Sequence, residues 1–238
     1  MPFTSPAVQP GLPAVQPWLK VCGLRCAHQA AAVARSGVDA IGVIAVASSP
    51  RWLEPQARPG LFAAMAAENP RCLGVLVVAD PDDGELPWLR PGLGHQVVQL
   101  HGSETPARCA ELRAHLGPEL QLWKALRIRS QADLQQATLY APLVDALLLD
   151  AWVPDQLGGT GHRIPIEWLQ GFRPGVPWWL AGGITAERVG PALLQLAADG
   201  PDGLDASSGV EHAPGDKDLE RVIELVAAVN AVRQDRRS

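Results

Sequence analysis

The stretch Val21 to His28, VCGLRCAH, contains Cys22 and Cys26, two of the four cysteines in the chain. A thiol can bind a metal, form a disulfide, act as a base or nucleophile, or simply fill a small apolar space. Structural zinc sites need further Cys or His pairs at characteristic spacings, and none accompanies this one in the sequence. The pattern therefore favours catalysis or packing over metal or disulfide chemistry.

A second residue with chemical potential is Asp150, which directly follows the apolar run ALLL. A carboxylate in apolar surroundings loses its hydration, so a buried aspartate usually has a partner or a function. Two interpretations stay open at this point. Asp150 is either a catalytic acid or the cap of the loop that follows.

Two small-residue stretches could bind an anion. They are AGG at 181–183 and DASSG at 205–209. Backbone N–H groups at Gly182 and Gly183, and at Ser207 and Ser208, would be exposed if both stretches follow strands, which is how loops 7 and 8 of a (β/α)₈ barrel bind phosphate. The structural alternative is that these residues only form tight turns.

The elements that must position these residues recur along the chain as short apolar runs separated by helical patterns. The predicted strands are 18–23, 40–46, 72–79, 96–102, 120–128, 145–152, 177–183 and 202–210. Eight such βα repeats predict an α/β protein with a single (β/α)₈ TIM barrel, and an open doubly wound sheet is the alternative.

Three helices are well marked. One has Thr105 as N-cap and Gly117 as its stop, one begins at Thr185, and the last carries an apolar stripe at positions 219, 222, 223, 226 and 229. The third crossover, between the strands at 72–79 and 96–102, contains several Pro and Gly residues and predicts a short or distorted helix.

In such a barrel, function collects at the carboxyl ends of the strands. Cys22, Arg51, His101 and Asp150 all lie at or just beyond predicted strand ends. His101 either orients the substrate or the thiol, or is an ordinary hydrogen-bonded histidine. The remaining candidates are assigned to support or packing: Lys20 and Gln99 as interior polar support, Cys26 to the first helix, His28 to its surface, and Cys72 and Cys109 to the core.

Composition narrows the function classes. The 20 basic and 25 acidic residues give a formal charge of −5, which argues against a nucleic-acid partner. No apolar run approaches the roughly 20 residues that a membrane span requires, and residues 1–10 lack the features of a secretory signal, so we expect a cytoplasmic protein without a membrane partner. Residues 1–17 predict a Pro-rich tail, and residues 18–238 the barrel domain. A monomer and a homodimer are both compatible with the sequence.

The ordered motifs KVCGL, SPRW, VVQLHG, LLLD followed by GGTG, LAGGIT and GLDASSGVEHAPGDKD resemble those of the phosphoribosylanthranilate isomerase family, over residues 19 to 226. The resemblance implies a single (β/α)₈ barrel. The same resemblance implies an enzyme of tryptophan biosynthesis that needs no cofactor. It also implies an Amadori rearrangement, in which the phosphorylated aminosugar N-(5-phosphoribosyl)anthranilate, an aminoaldose, becomes 1-(2-carboxyphenylamino)-1-deoxyribulose 5-phosphate, an aminoketose.

By the same resemblance, Cys22 is the general base, Asp150 the general acid, and Arg51 the partner of the anthranilate carboxylate. Gly182, Gly183, Ser207 and Ser208 bind the phosphate, and the GGTG segment at 158–161 is a mobile loop. We expect the apolar run before Asp150 and the dianionic substrate to help keep this acid protonated.

The strand 2 loop, VIAVASSPRW, lacks the aromatic residues and the Lys that the family usually has there. Trp52 or Trp152 could supply a ring face instead. Competing hypotheses are a Schiff-base lyase or indole-glycerol-phosphate synthase using Lys20 or Lys124, and a non-catalytic barrel that binds a phosphorylated ligand. Acceptance of the histidine-pathway aminoaldose is a further open point.

Overall fold

The computed structural model describes residues 17–151, 163–196 and 199–235. Eight parallel strands close into a barrel in chain order, and each predicted run contains one of them. The strands are β1 Trp18–Cys22, β2 Ala40–Ile44, β3 Leu73–Val78, β4 Val97–Leu100, β5 Gln121–Ile128, β6 Ala146–Ala151, β7 Trp178–Ala181 and β8 Gly203–Ala206. The predicted (β/α)₈ barrel is therefore confirmed.

Side chains alternate between the two faces of the barrel wall, as the two-residue period of a strand requires. On β1, Leu19 and Val21 belong to the larger core between barrel and helices, whereas Cys22 belongs to the interior cluster. Near the amino ends of the strands the interior is filled by Trp123 and Trp179, whose rings lie 4.7 Å apart. The barrel is thus a packed core, and a buried polar layer of Lys20, Gln99 and Asp205 lies nearer the carboxyl ends of the strands.

Among the described residues, five α-helices lie between barrel strands and a sixth follows β8: α1 Ala27–Arg35, α2 Arg58–Glu68, α3 Pro106–Leu116, α4 Ala137–Tyr140, α5 Ala186–Leu196 and α6 Leu219–Asp235. Helix α3 has the predicted ends. The Thr105 side chain accepts a hydrogen bond from the Arg108 N–H at 3.2 Å, and Gly117 follows the helix at φ 70°. Within the described ranges, no helix is both long and apolar enough to cross a membrane.

The helical half of the repeat is less regular than the strand half. The β3–β4 crossover contains a 3₁₀ turn at Leu86–Trp88, which confirms the expected distorted third helix. The β5–β6 crossover is also irregular, with the single turn α4 between two 3₁₀ segments. The described part of the β6–β7 crossover contains only a 3₁₀ turn at Ile166–Leu169. Among the described residues, the crossovers after β3, β5 and β6 therefore lack the long α-helix that regular alternation of strand and helix predicts.

Two details of the helix predictions were wrong. Ile223, placed in the apolar stripe of α6, is 58% exposed, and Leu225 is buried beside Val222 and Val226 instead. Cys26 lies just before α1 with extended backbone and an exposed side chain, so it precedes the helix rather than belonging to it. For α6, the physical reason is that the helix packs against α5 as well as the core, so its buried face includes Leu225 and leaves Ile223 exposed.

A small antiparallel hairpin follows β8. Its strands are β9 Glu211–Ala213 and β10 Asp216–Lys217, joined through Gly215 at φ 84°. The hairpin places Glu211 and Lys217 against the carboxyl end of β1. Lys217 Nζ can therefore donate a hydrogen bond to the Cys22 carbonyl at 2.6 Å. This short element therefore helps to fix the rim of the barrel at Cys22.

Candidate active site

A pocket of about 650 Å³, its open mouth included, lies at the carboxyl ends of the strands. It is lined by all eight residues predicted for the site: Cys22, Arg51, His101, Asp150, Gly182, Gly183, Ser207 and Ser208. They come from six different strand ends or the loops after them, so only barrel closure could assemble them. The structure thus brings all eight residues together at one pocket, and their roles stay predictions.

Cys22 is the last residue of β1 and is only 5% exposed. Its Sγ lies over Gly42 of β2, where a Cβ atom would be 2.5 Å from the sulfur and 3.0 Å from Lys20 Cε. The glycine therefore leaves the space that the thiol and the lysine stem occupy. Burial raises the pKa of the Cys22 thiol, Lys20 and Lys217 act in the opposite direction, and Asp205 adds to the effect of burial.

Lys20 forms the buried polar layer beneath the pocket. Its ammonium donates to Gln99 Oε1 at 2.9 Å and to Asp205 Oδ2 at 3.1 Å, and it also hydrogen-bonds with the Cys22 side chain. Burial disfavours the charged amine, but the attraction of Asp205 and Cys22 outweighs it and the pKa of Lys20 is raised. Lys20 is thus a fixed cation beside the thiol, as its predicted interior position suggested.

Asp150 and His101 meet across the pocket wall formed by β6 and the end of β4. His101 Nε2 lies 3.4 Å from Asp150 Oδ2, and His101 Nδ1 lies 3.0 Å from Gln99 Nε2. Among the described residues, His101 Nε2 and Asp205 Oδ1 are buried without a hydrogen-bond partner, so the contact to Asp150 is electrostatic rather than well aligned. Two buried polar atoms beside the pocket therefore have no aligned hydrogen bond within the described structure.

Arg51 has a buried partner that the sequence analysis did not foresee. Its Nη2 donates to Glu211 Oε2 at 2.7 Å and its Nε to Glu211 Oε1 at 3.0 Å. Lys217 donates to the same carboxylate at 2.6 Å. Burial alone would favour the neutral acid, but these hydrogen bonds and charges outweigh it and lower the pKa of Glu211. Two cations share one anion, so the cluster of Arg51, Lys217 and Glu211 carries one positive charge in excess.

The two predicted phosphate loops lie in contact. A Cβ at Gly209 would be 2.3 Å from the Ile184 carbonyl oxygen, so the loop after β8 approaches the loop after β7 as closely as glycine permits. Gly182 and Gly183 have φ values of 92° and 63°, and α5 begins three residues later. Ser207 Oγ donates to the Cys22 carbonyl at 3.1 Å, so the proton of this hydroxyl is already used.

The strand 2 loop gives the pocket an aliphatic wall instead of an aromatic one. Ile44 at the end of β2, Val46 in the loop and Val77 on the neighbouring β3 line the pocket, whereas Trp52 does not. Trp152 and the GGTG segment at 158–161 lie outside the described residues. Of the two tryptophans that could have offered a ring face to the anthranilate, Trp52 therefore lies outside the pocket lining.

Sequence reasoning missed three charged residues of the site: Asp205, Glu211 and Lys217. Asp205 interrupts the apolar strand GLDA, the same signal that drew attention to Asp150, and could have been found. Lys217, one of only three lysines, had no local pattern to mark it, because its partners are brought to it by the hairpin and by β1.

Lys20 and Lys124, the two lysines considered for Schiff-base chemistry, each form an ion pair with a carboxylate. Lys20 pairs with Asp205, and Lys124 Nζ donates to Glu104 Oε2 at 2.8 Å and to the Gly102 carbonyl at 3.0 Å. Neither lines the pocket. Over the described ranges, no group of three His, Cys, Asp or Glu residues could hold a metal ion.

Comparison with known proteins agrees with this geometry. The family model for N-(5'-phosphoribosyl)anthranilate isomerase matches residues 19–228. The isomerase of Synechococcus elongatus is 46% identical over 212 residues, which cover 89% of this chain and 95% of the relative.

Two solved structures have the same fold. TrpF from Jonesia denitrificans superposes with a TM-score of 0.73 at 34% identity, covering 91% of this chain and 98% of the other. Phosphoribosyl anthranilate isomerase from Thermus thermophilus has a TM-score of 0.73 at 29% identity, covering 90% and 99%. The chain therefore belongs to the N-(5'-phosphoribosyl)anthranilate isomerase family, enzymes of tryptophan biosynthesis.

Proposed function

We propose that this chain converts N-(5-phosphoribosyl)anthranilate to 1-(2-carboxyphenylamino)-1-deoxyribulose 5-phosphate by an Amadori rearrangement. Cys22 is the general base and Asp150 the general acid. The observation that carries the proposal is the joint placement of a thiol, a carboxyl group, an arginine and two small-residue loops around one pocket. Each of these groups answers one chemical demand of the substrate.

The first demand is ring opening. Asp150 gives a proton to the furanose ring oxygen, the C1–O bond breaks with its electrons going to that oxygen, and the nitrogen lone pair forms the C1=N bond. Asp150 is only 5% exposed and follows the apolar residues of β6. Its carboxyl group lies on the pocket, where a bound substrate can take up the proton.

The second demand is removal of the proton on C2. The Cys22 thiolate takes it, the C–H electrons form C1=C2, and the C=N electrons return to nitrogen, giving an enolamine that becomes the ketone. The fixed Lys20 cation beside the sulfur favours the thiolate, whereas burial opposes it. The base is therefore a minor species in the free enzyme at neutral pH, and its concentration limits the rate.

The third demand is recognition of two anions. The surplus positive charge of the cluster formed by Arg51, Lys217 and Glu211 suits the anthranilate carboxylate. The loops at Gly182–Gly183 and Ser207–Ser208 suit the phosphate through backbone N–H groups. The aliphatic side chains Ile44, Val46 and Val77 lie on the same pocket and offer apolar contact for the anthranilate ring.

The proposal also covers the compartment, the cofactor requirement, the oligomeric state and the domain limits of the enzyme. We place the enzyme in the cytoplasm, working without a cofactor on a small phosphorylated aminosugar, as a monomer or homodimer. The predicted tail at 1–17 lies outside the described residues except for Pro17, and the proposed catalytic domain is 18–238. The single pair of phosphate loops favours a substrate with one phosphate end over the histidine-pathway aminoaldose, which carries a second, larger anion.

The test follows the loss of substrate fluorescence on conversion. Cys22→Ala and Asp150→Ala should each lower kcat by about 10²–10⁴-fold, the usual contribution of a positioned acid or base. Cys26→Ala is the matched control, because its exposed thiol lies only four positions along the chain and outside the pocket. Equal turnover by wild type and the Cys22→Ala/Asp150→Ala double variant would refute the assignment.

A further inference from the structure

We propose that Gln99 is a positioning residue that fixes the tautomer of His101, so that the imidazole directs its Nε2–H toward Asp150. The inference starts from a continuous buried polar chain. It runs from Lys20 on β1 through Gln99 on β4 to His101, and ends at Asp150 on β6. Its significance for catalysis rests on the proposed acid role of Asp150.

The direction of each hydrogen bond is set by the one before it. The Lys20 ammonium has donors only, so the Gln99 atom 2.9 Å away must be the amide oxygen. The Gln99 nitrogen is then the atom that faces His101 Nδ1 at 3.0 Å. An amide NH₂ can only donate, so Nδ1 must accept. In the neutral ring the proton is therefore on Nε2.

The amide cannot reverse this arrangement at low cost. A flipped Gln99 would set its NH₂ group against the Lys20 ammonium and its oxygen against His101 Nδ1. Lys20 is held in place by Asp205 at 3.1 Å, and both Lys20 and Gln99 are fully buried, so no water takes up the lost hydrogen bond. The lysine–aspartate pair thus fixes the amide, and the amide fixes the ring.

The tautomer has two consequences at Asp150. An Nε2–H group 3.4 Å from Oδ2 stabilises the carboxylate that forms when the acid gives up its proton. A nitrogen that already carries a proton also cannot accept one from Asp150, so the ring does not compete with the substrate for it. The unpartnered state of His101 Nε2 in the described structure agrees with a donor kept free for the reaction.

The tautomer can be read directly by a long-range ¹H–¹⁵N spectrum of protein with ¹⁵N-labelled histidine at pH 8, with His101→Asn to assign the signal. Wild type should show the neutral Nε2–H form. Gln99→Glu presents a carboxylate oxygen to Nδ1 and should reverse the ring to Nδ1–H. Gln99→Leu should give a mixture of the two forms.

Gln96→Leu is the matched control, since it removes an amide just before β4 that bonds Gly74 N–H and not His101. A wild-type ring in the Nδ1–H form would overturn the proposal, and this result does not depend on the Gln99 variants. A ring that keeps the Nε2–H form in both folded Gln99 variants would overturn it as well.

The kinetic readout separates this proposal from the proposed function. Gln99→Leu should lower kcat by about 10–100-fold with KM nearly unchanged, as expected for a group that orients another group without touching substrate. A changed tautomer with unchanged kcat would overturn the catalytic consequence. By contrast, full activity of Asp150→Ala with the tautomer still under the control of Gln99 would refute the acid assignment and leave the Gln99 role standing.

Discussion

Adding one methyl group at Gly42 should disable the thiol without touching it chemically. Gly42 is paired in register with Cys22, and its missing side chain would point into the barrel toward the sulfur. An ideal Cβ at this position lies 2.5 Å from Cys22 Sγ, 3.0 Å from Lys20 Cε and 3.1 Å from Cys22 Cα. Gly42→Ala therefore forces a rearrangement of the proposed base and its neighbouring cation.

The size of the effect follows from the contact distances. Unstrained heavy-atom contacts lie at about 3.5–4.0 Å, so the sulfur or the backbone must move by roughly 1 Å. A displacement of about 1 Å from productive geometry can cost on the order of 100-fold in rate. Overpacking a well-filled interior costs about 1–3 kcal/mol of unfolding free energy. We expect Gly42→Ala to fold, with lower stability and about 100-fold lower kcat/KM.

The assay combines urea unfolding with steady-state turnover of phosphoribosylanthranilate well below the unfolding midpoint. Gly60→Ala is the matched control, because a Cβ added in α2 meets nothing within 4 Å. That control should be neutral or slightly stabilising, since alanine is favoured over glycine within a helix. Full activity of a folded Gly42→Ala variant would show that the thiol position is not critical and would refute the reasoning.

Two further predictions test the charges around the pocket. Because burial raises the pKa of Cys22, the ultraviolet thiolate absorbance that Cys22→Ala removes should appear only above about pH 8.5, the ordinary thiol value; a Cys22 thiolate fully formed by pH 7 would contradict a buried thiol base. Glu211→Gln leaves Arg51 and Lys217 as two buried cations without their shared anion, and urea unfolding should show a loss of about 3–5 kcal/mol. Glu68→Gln, in an exposed pair, should lose much less, and equal losses at the two sites would refute the importance of burial.

The strands and the place of the site were predictable because they depend on local pattern. β-Branched apolar runs at regular spacing indicate strands, and alternation places Lys20 and Cys22 on one side of β1. Once a barrel is inferred, the rule that function lies at the carboxyl ends of strands selects Cys22, His101 and Asp150 without further information. The eight proposed site residues line one pocket for this reason.

The partners of these residues could not be predicted, because they depend on barrel closure. Arg51 was expected to face a ligand, yet its guanidinium is held by Glu211, 160 positions along the chain. Lys20 finds Asp205 at a separation of 185 positions because β8 pairs with β1. Nothing in the local sequence encodes such a pairing, so the charge balance of the pocket is a property of the closed barrel.

The sequence by itself determined the fold class, the strands, the family resemblance and the residues at the strand ends. The tertiary structure alone decided which face of α6 is buried, how the surplus charge near Arg51 arises, and in which direction the Gln99 amide points. The physical reason is that backbone periodicity is set by neighbours along the chain. A buried polar group, in contrast, must be satisfied by whatever closure brings within 3 Å or so of it.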